Sequence, residues 1–418
     1  MIWKLVRIYK LIVPICLSWT WHIINGCMKI LQITPFFPPD KGGIAVHVFN
    51  LFKHFNQKFS VSVVAPKRLS NTGFEEDGIL VKRINSFYLP GWPYPTLRSM
   101  SVPVDFGQGL RSLIREGKFD IIHVHGHHYP ISWIAISAAY KIGVPVVLTL
   151  HGTYALNPFV KGGKTTIEDW LNKKFFPRIL NKTTSIIGLT KVLTKYGMMI
   201  GGESPKYFTI PNGIDTNVYA RSLGSKGEYR IKYGLTSDAV IILFRGRFEH
   251  VKGILEFVKA CKLLISELGK KVEVLIVGGG TLEDKVRAIA NSTKGVHLFG
   301  WQKEDAIHEL YIASDIFVLP SRFEALPITI IEAMNAGLHV VYTEVGGVPD
   351  ILKGYEKKTP LSDTSSDQIR RVLISIIQSS SFDGTGNNSS IEYAKTFDWQ
   401  NIISQIHEVY LKSNAFLY

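Results

Sequence analysis

The 418 residues are 46% hydrophobic and 20% charged, which is the balance of a chain with two or three full globular cores, not of a disordered or fibrous one. Three cysteines, Cys16, Cys27 and Cys261, exclude a disulfide framework and point to a reducing compartment. The formal charge of +14 is uneven, with +3 on residues 1–27, +12 on residues 28–210 and −1 on residues 211–418. Nucleic acid is disfavoured as the partner of this basic half, because no aromatic-basic motif interleaves its charges. An anionic membrane surface or a lipid phosphate fits better.

The first 27 residues place Lys4, Arg7 and Lys10 ahead of an apolar run from Leu11 to Trp21. The run is too short, and too broken by Pro14, for an ordinary transmembrane helix. Three readings stay open: an extension without function ahead of a start at Met28, an interfacial membrane anchor, or a signal peptide. For the last, "IINGC" is loosely similar to a lipoprotein cleavage site at Cys27.

From Met28 apolar runs alternate with amphipathic stretches. Ile30–Ile33 reads as a strand, "PFFPPDKGG" as a loop and Ala45–Phe55 as an amphipathic helix. Gly42 and Gly43 let the backbone come close to a ligand at that helix start. Strands are expected at Val61–Ala65 and Ile79–Ile84, followed by a loop rich in Pro and aromatics from Phe87 to Pro103. "FDIIHVHGHH" is a further strand with His123, His125 and His127 at alternating positions, which puts all three on one face. Imidazoles alone at this spacing are a poor zinc signature. In "VPVVLTLHGTY" His151 falls at the carboxyl end of a strand, where α/β sheets collect ligands. Next, Ile167, Trp170, Leu171 and Phe175 share a helical face, with Lys173, Lys174, Arg178 and Lys182 nearby. That face packs on its own sheet in the plainer reading and docks on a membrane in the other. A strand at Ser185–Leu189 and the stretch "YFTIPNGID", with Asn212, Gly213 and Asp215, close this half.

After a polar linker around Arg221–Glu228, "AVIILFRGRFEHVKGILEFVKAC" is strand, loop and helix, with Arg247 and Lys252 flanking the loop. Arginine can clamp phosphate oxygens in a fork, and lysine supplies a point charge. "VEVLIVGGGTLEDKV" is a strand that ends in Gly278–Gly280 before another helix, and "VHLFGWQ" is a strand ending near Phe299, Gly300 and Trp301. Then Ile316–Leu319 is a strand, Ser321–Leu326 a loop, and Pro327 takes the first helical position, where a missing N–H costs nothing. Ile328, Ile331 and Met334 recur at helical spacing until Gly337, and Val340–Tyr342 is the next strand. Glu324 precedes this helix and Glu332 lies roughly 8 Å along its axis. A pyrophosphate at the helix N-terminus would have one acid beyond each end, with a sugar at Glu324 and a ribose at Glu332. A helix at Gln368–Gln378, a low-complexity loop "SSSFDGTGNNSS" and a last helix in "DWQNIISQIHEVYLK" complete the chain, which contains no Asp-x-Asp metal pair.

Taken together, these motifs resemble the retaining glycosyltransferases of family 4. The resemblance covers residues 28 to about 412 and includes Glu324 and Glu332 at E-x7-E spacing, "EALP", "EAM" and "GR-x4-KG". It implies an α/β chain of the GT-B fold: two facing Rossmann-like domains, a central cleft and a C-terminal helix crossing back. The implied segments are an extension at 1–27, an acceptor-side domain at 28–215, a nucleotide-sugar domain at 216–395 and the returning helix at 396–418. By residue, it implies Gly42, Gly43, Arg247 and Lys252 at the donor diphosphate, Gly278 beside the nucleotide, and Phe299 and Gly300 at the base. Glu332 falls to the ribose, Glu324 and His151 to the transferred sugar, and Ala325 and Leu326 to the donor loop. Ala325 departs from the commoner glycine, which puts that phosphate contact in doubt.

The implied reaction moves a sugar with retention, without metal or cofactor, from GDP-mannose or a UDP-hexose to a glycan or lipid-linked acceptor. It belongs to cell-surface polysaccharide or glycolipid synthesis on the cytoplasmic side, with peripheral contact to anionic membrane. Another sugar-nucleotide reaction on the same fold, an epimerase or a phosphorylase, is the alternative, as is a non-catalytic subunit of a glycan assembly complex.

Overall fold

The computed structural model describes residues 28–40, 42–67, 81–89, 100–105, 107–152, 169–202, 206–218, 226–379 and 388–415. The expectations for residues 1–27 and for Ile167 lie outside these residues.

The strands fall into two sheets. The first comprises β1 (Lys29–Ile33), β2 (Ser60–Lys67), β3 (Val81–Leu89), β4 (Met100–Pro103), β5 (Ile121–His125), β6 (Val146–Leu150), β7 (Ser185–Gly188) and β8 (Tyr207–Thr209). Its order is β4-β3-β2-β1-β5-β6-β7-β8, parallel except for the β3–β4 pair. The second comprises β9 (Val240–Arg245), β10 (Val272–Val277), β11 (Val296–Leu298), β12 (Ile316–Leu319), β13 (His339–Thr343) and β14 (Lys358–Leu361). It is parallel throughout, in the order β11-β10-β9-β12-β13-β14. The strand order reverses beside β1 and β5 in one sheet and beside β9 and β12 in the other. Doubly wound sheets open a ligand crevice at the carboxyl ends of such strands.

Both sheets are covered on both faces, so successive residues of one strand enter different cores. In β9, Ile241 and Leu243 face one core while Ile242 and Phe244 face the other. In β1, Leu31 and Ile33 face one side and Ile30 the other. The terminal helix Trp399–Ala415 belongs to this last core: Trp399, Ile402, Ile403, Ile406, Val409 and Tyr410 pack with Ile30, Val63 and Val147. The Tyr410 hydroxyl meets His123 Nδ1 at 2.7 Å, and Ser413 meets Ser185 at 2.7 Å. Burial is worth about 1.5–3 kcal/mol per large apolar side chain. The first domain is therefore completed by the last stretch of the chain.

Six details differ from the sequence-based expectations. Part of the Phe87–Pro103 loop is an antiparallel pair, with Phe87 opposite Val102. Lys226–Lys232 is already helical, within the expected linker, and the expected low-complexity loop gives way to a helix at Asn388–Lys395. Pro327 is the residue before the helix Ile328–Asn335 and is extended, with ψ 108°. In the basic helix a π turn spans Leu171–Phe175, the Phe176 N–H bonding to Leu171 O. The added residue rotates the face, so Phe176, Ile179 and Leu180 are buried while Trp170 is 58% exposed. The helix thus packs on its own sheet through Phe176, Ile179 and Leu180, with Leu171 and Phe175 only partly buried, and not through the expected face. Finally, β5 ends at His125 and Gly126 turns the chain with φ 78°, so His127 leaves the face of His123 and His125 and packs against Phe176 and Tyr196.

Among the described residues no helix is long and apolar enough to cross a membrane.

Candidate active site between the two sheets

In the second domain the site grows from the ends of β9 and β12. Arg245 is the last residue of β9 and shares the parity of Ile241 and Leu243, so it points toward the helix Ile328–Asn335. That helix buries Ile330, Ile331, Ala333 and Met334 and presents Glu332 to the cleft edge. The Arg245 guanidinium contacts the Glu332 carboxylate and lies over the Tyr311 ring, 5.8 Å from its centroid. The Tyr311 hydroxyl donates to Glu332 Oε2 at 3.0 Å. Burial works against the Arg245 charge, but Glu332 and Tyr311 outweigh it and hold the group above the ordinary arginine value. Burial pushes the Tyr311 phenol well up, and the Glu332 charge adds to the effect.

Lys252 ends a short 3₁₀ turn, His250–Lys252, which Gly253 closes at φ 67°. A Cβ at Gly253 would lie 2.2 Å from Pro320 O, so the loop presses directly on the end of β12. Arg322 pins the loop further, donating to His250 O at 2.6 Å and pairing with Glu256 at 2.7 Å. The turn places Lys252 Nζ 2.5 Å from Glu324 Oε1, which also accepts from Ser321 Oγ at 2.7 Å. Glu324 is 6% exposed. Arg247, by contrast, is exposed at the mouth of the loop.

The three glycines after β10 serve close packing of backbone on backbone. A Cβ at Gly278 would lie 2.0 Å from Gly246 O, and one at Gly280 would lie 2.8 Å from Phe248 N. The Gly278 N–H donates to Gly300 O at 2.9 Å, and Gln302 Nε2 donates to Phe299 O at 3.1 Å. Leu326 belongs to the apolar core beside the loop that carries Glu324. The Ala325 methyl faces Gly152 of the first domain, where a Cβ would lie 4.0 Å from it. The departure from glycine at position 325 thus meets the opposite wall of the cleft.

That contact sets His151 and Glu324, one residue to either side of it, at the same opening. His151 follows β6, and its Nε2 is 3.1 Å from His125 Nδ1 at the end of β5. His47, from the helix Gly43–Phe55, stacks edge-on against both, with ring centroids 4.9 Å from His151 and 5.6 Å from His125. Burial is the main cause that holds His125 and His151 well below the ordinary imidazole value and His47 down to about 4. His123 is committed to the fold, held between the Tyr410 hydroxyl and Thr149 Oγ1. Gly42 and Gly43 stand at the start of the His47 helix, and among the described residues no atom lies within 4 Å of a Cβ built at either.

The structure therefore brings Arg245, Lys252, Glu324 and Glu332 to one edge, with His151, His125 and His47 across from Glu324. Sequence reasoning missed Arg245, Tyr311, Ser321, Arg322 and His47. Arg245 was detectable: it sits on the buried parity of an apolar strand, where a charge requires a partner. The others depend on loops that meet only in three dimensions.

Residues 225–397 match the family model described as glycosyl transferases group 1, and residues 41–218 match the one described as Glycosyltransferase Family 4. Alpha-maltose-1-phosphate synthase of Mycolicibacterium smegmatis is 24% identical over 93% of this chain and 100% of its own. The Escherichia coli UDP-Gal:alpha-D-GlcNAc-diphosphoundecaprenol alpha-1,3-galactosyltransferase is 27% identical over 70% of this chain and 73% of its own. Among solved structures, Anabaena HepE in complex with UDP superposes with a TM-score of 0.71 at 18% identity, covering 91% of this chain and 99% of that one. The same protein in complex with UDP-glucose gives 0.68 at 19% identity, over 91% and 98%.

Proposed function

Because this chain is a group 1, family 4 glycosyltransferase with the GT-B fold, we propose that it moves a hexose from a nucleoside diphosphate to a glycan or lipid-linked acceptor, with retention of configuration and without metal. The observation that carries the proposal is the pairing of both cleft acids with cations, Glu324 with Lys252 and Glu332 with Arg245. A donor diphosphate competes with Glu324 for Lys252 and gains Arg247 from the exposed side of the loop. Released from Lys252, Glu324 accepts a hydroxyl of the transferred sugar opposite His151, and Glu332 accepts from the ribose. The cations matter most as the leaving diphosphate gains charge, which is where stabilisation accelerates transfer. Gly42 and Gly43 line the phosphate side from the first domain.

The UDP-Gal galactosyltransferase relative and the HepE complex with UDP-glucose favour a UDP-hexose over GDP-mannose. The relative's diphosphoundecaprenol acceptor supports a lipid-linked acceptor here. So does a cleft of about 370 Å³ in the basic first domain, with Trp133, Phe175 and Ile179 in its wall and Arg111, Lys141 and Arg178 around them. Apolar walls and a cationic rim suit an anionic amphiphile at a membrane surface.

A thermal-shift titration with UDP, GDP, ADP and dTDP tests the donor. A ligand at a hundredfold excess over its dissociation constant stabilises by about 2.7 kcal/mol. UDP is expected to raise the melting temperature of the wild type but not of Glu332→Gln or Arg247→Ala. No response to any of the four nucleotides would overturn the donor assignment. Nucleoside diphosphate release that needs no acceptor, or that leaves an epimerised sugar, would overturn the transfer itself.

A further inference from the structure

We propose that His47, His125 and His151 form a binding site for a divalent ion of the zinc class, with the cleft supplying the fourth coordination position. Each offers one ring nitrogen, and the three nitrogens lie within 4.8 Å of one another. Tetrahedral coordination with metal–nitrogen bonds of about 2.0–2.1 Å needs nitrogens roughly 3.3 Å apart. Ring rotation and a small shift of the His47 helix supply the difference. The donors come from three elements: a helix, the end of β5 and the loop after β6.

Two observations separate this cluster from ordinary packed histidines. His47 is 2% exposed and, among the described residues, neither of its ring nitrogens has a hydrogen-bond partner. The Asn212 side chain lies beside it without closing a bond of ordinary geometry, and Asn212 Oδ1 is itself unsatisfied. A buried polar group left this way costs about 1–3 kcal/mol, which ligation would offset. Secondly, His125 is already oriented as a ligand. Its Nε2 lies 3.2 Å from Gln32 Oε1, so a proton on Nε2 leaves the Nδ1 lone pair facing His151 Nε2, 3.1 Å away in the cluster. A partner on the distal nitrogen is the usual outer support of a metal-bound imidazole. Burial keeps the rings neutral, the form that binds metal. Three imidazoles with no carboxylate select a borderline ion over magnesium or calcium.

The site lies at the sugar end of the cleft, and His151 belongs to both. An ion bound there withdraws His151 from the transferred sugar, so occupancy inhibits transfer; this consequence rests on the function proposed above, whereas the binding itself does not. Metal-free full-length chain titrated with Co²⁺, then with Zn²⁺ in competition, is the test. The expected result is one ion per chain with the intense visible bands of low-coordinate Co²⁺. His47→Phe removes a ring that holds no hydrogen bond, so the fold is kept, checked by circular dichroism; the bands should be lost. Gln32→Ala should weaken binding by about 10- to 100-fold, and His297→Gln, on the far strand β11, should leave it unchanged. The proposal is overturned if wild type yields only octahedral Co²⁺ spectra, or if His47→Phe binds with wild-type affinity. No nucleotide or turnover enters the titration, so its failure is distinct from failure of the transferase reading.

Discussion

Lys252 and Glu324, 72 residues apart in the chain, meet through a 2.5 Å ammonium–carboxylate contact at the carboxyl edge of the second sheet. Glu324 is buried, and Ser321 is its other partner. Removing the cation strands a buried charge, which costs more than the pair itself contributes. Lys252→Met should destabilise the chain by about 3 kcal/mol, the low end for a broken buried pair. Adding Glu324→Gln should recover part of that loss. Urea unfolding of the two single variants and the double variant measures it, and additive losses would show that the contact carries no coupling.

Arg245 and Arg247 are two residues apart, yet they are expected to separate stability from binding. Arg245 is paired with Glu332 and Tyr311, whereas Arg247 is exposed. Arg245→Met should lower the urea midpoint through the stranded Glu332. Arg247→Ala should stay within about 0.5 kcal/mol of wild type, as surface substitutions do, while losing the nucleotide-induced shift in melting temperature.

Two glycines in the cleft should answer in opposite ways. Gly278 has φ 133° and a Cβ there meets Gly246 O at 2.0 Å, so Gly278→Ala should cost more than about 3 kcal/mol through strain and clash together. Gly43 opens a helix into free space. Gly43→Ala should leave stability unchanged or raise it by up to about 1 kcal/mol, while weakening nucleotide binding if the phosphate approaches this turn. Chemical denaturation and thermal-shift titration of both variants give the comparison.

Stability should fall in acid because of buried histidines away from the cleft acids. Burial lowers His128 from 6.5 to about 3 and His339 from 6.5 to about 4. In both, the folded value is depressed, so the unfolded chain binds more protons between the two values. The contribution is complete above pH 6.5 and is lost as pH falls toward 4 for His339 and 3 for His128. Each such group adds a slope of up to about 1.4 kcal/mol per pH unit in that window. His339→Asn, which can keep the hydrogen bond to Thr359, should flatten the profile between pH 6.5 and 4. An unchanged slope would show that His339 protonates freely in the folded chain.

Local order was largely legible in the amino-acid sequence. Ile316–Leu319 reads as a strand and is one, because an unbroken apolar run bounded by Pro320 leaves a buried parallel strand few alternatives. Gly337 stops its helix at φ 73°, where a side chain would be strained. The terminal helix was expected to cross back, and its apolar spacing packs against β1 and β6.

What only the tertiary structure decided is which side chains meet. His123, His125 and His127 alternate in sequence, yet Gly126 turns the chain and sends His127 to another core. Gly278–Gly280 read as a turn between a strand and a helix, and only the fold shows the backbone of Gly246 and Phe248 packed against them. Glu324 and Glu332 read as acceptors for a sugar and a ribose, and only the fold shows that each lies against a cation. The physical reason is the same in each case: periodicity and propensity act within a few residues, whereas the partner of a buried charge is chosen by strand order and loop packing. Lys252 reaches Glu324 because β9 and β12 are neighbours in the sheet.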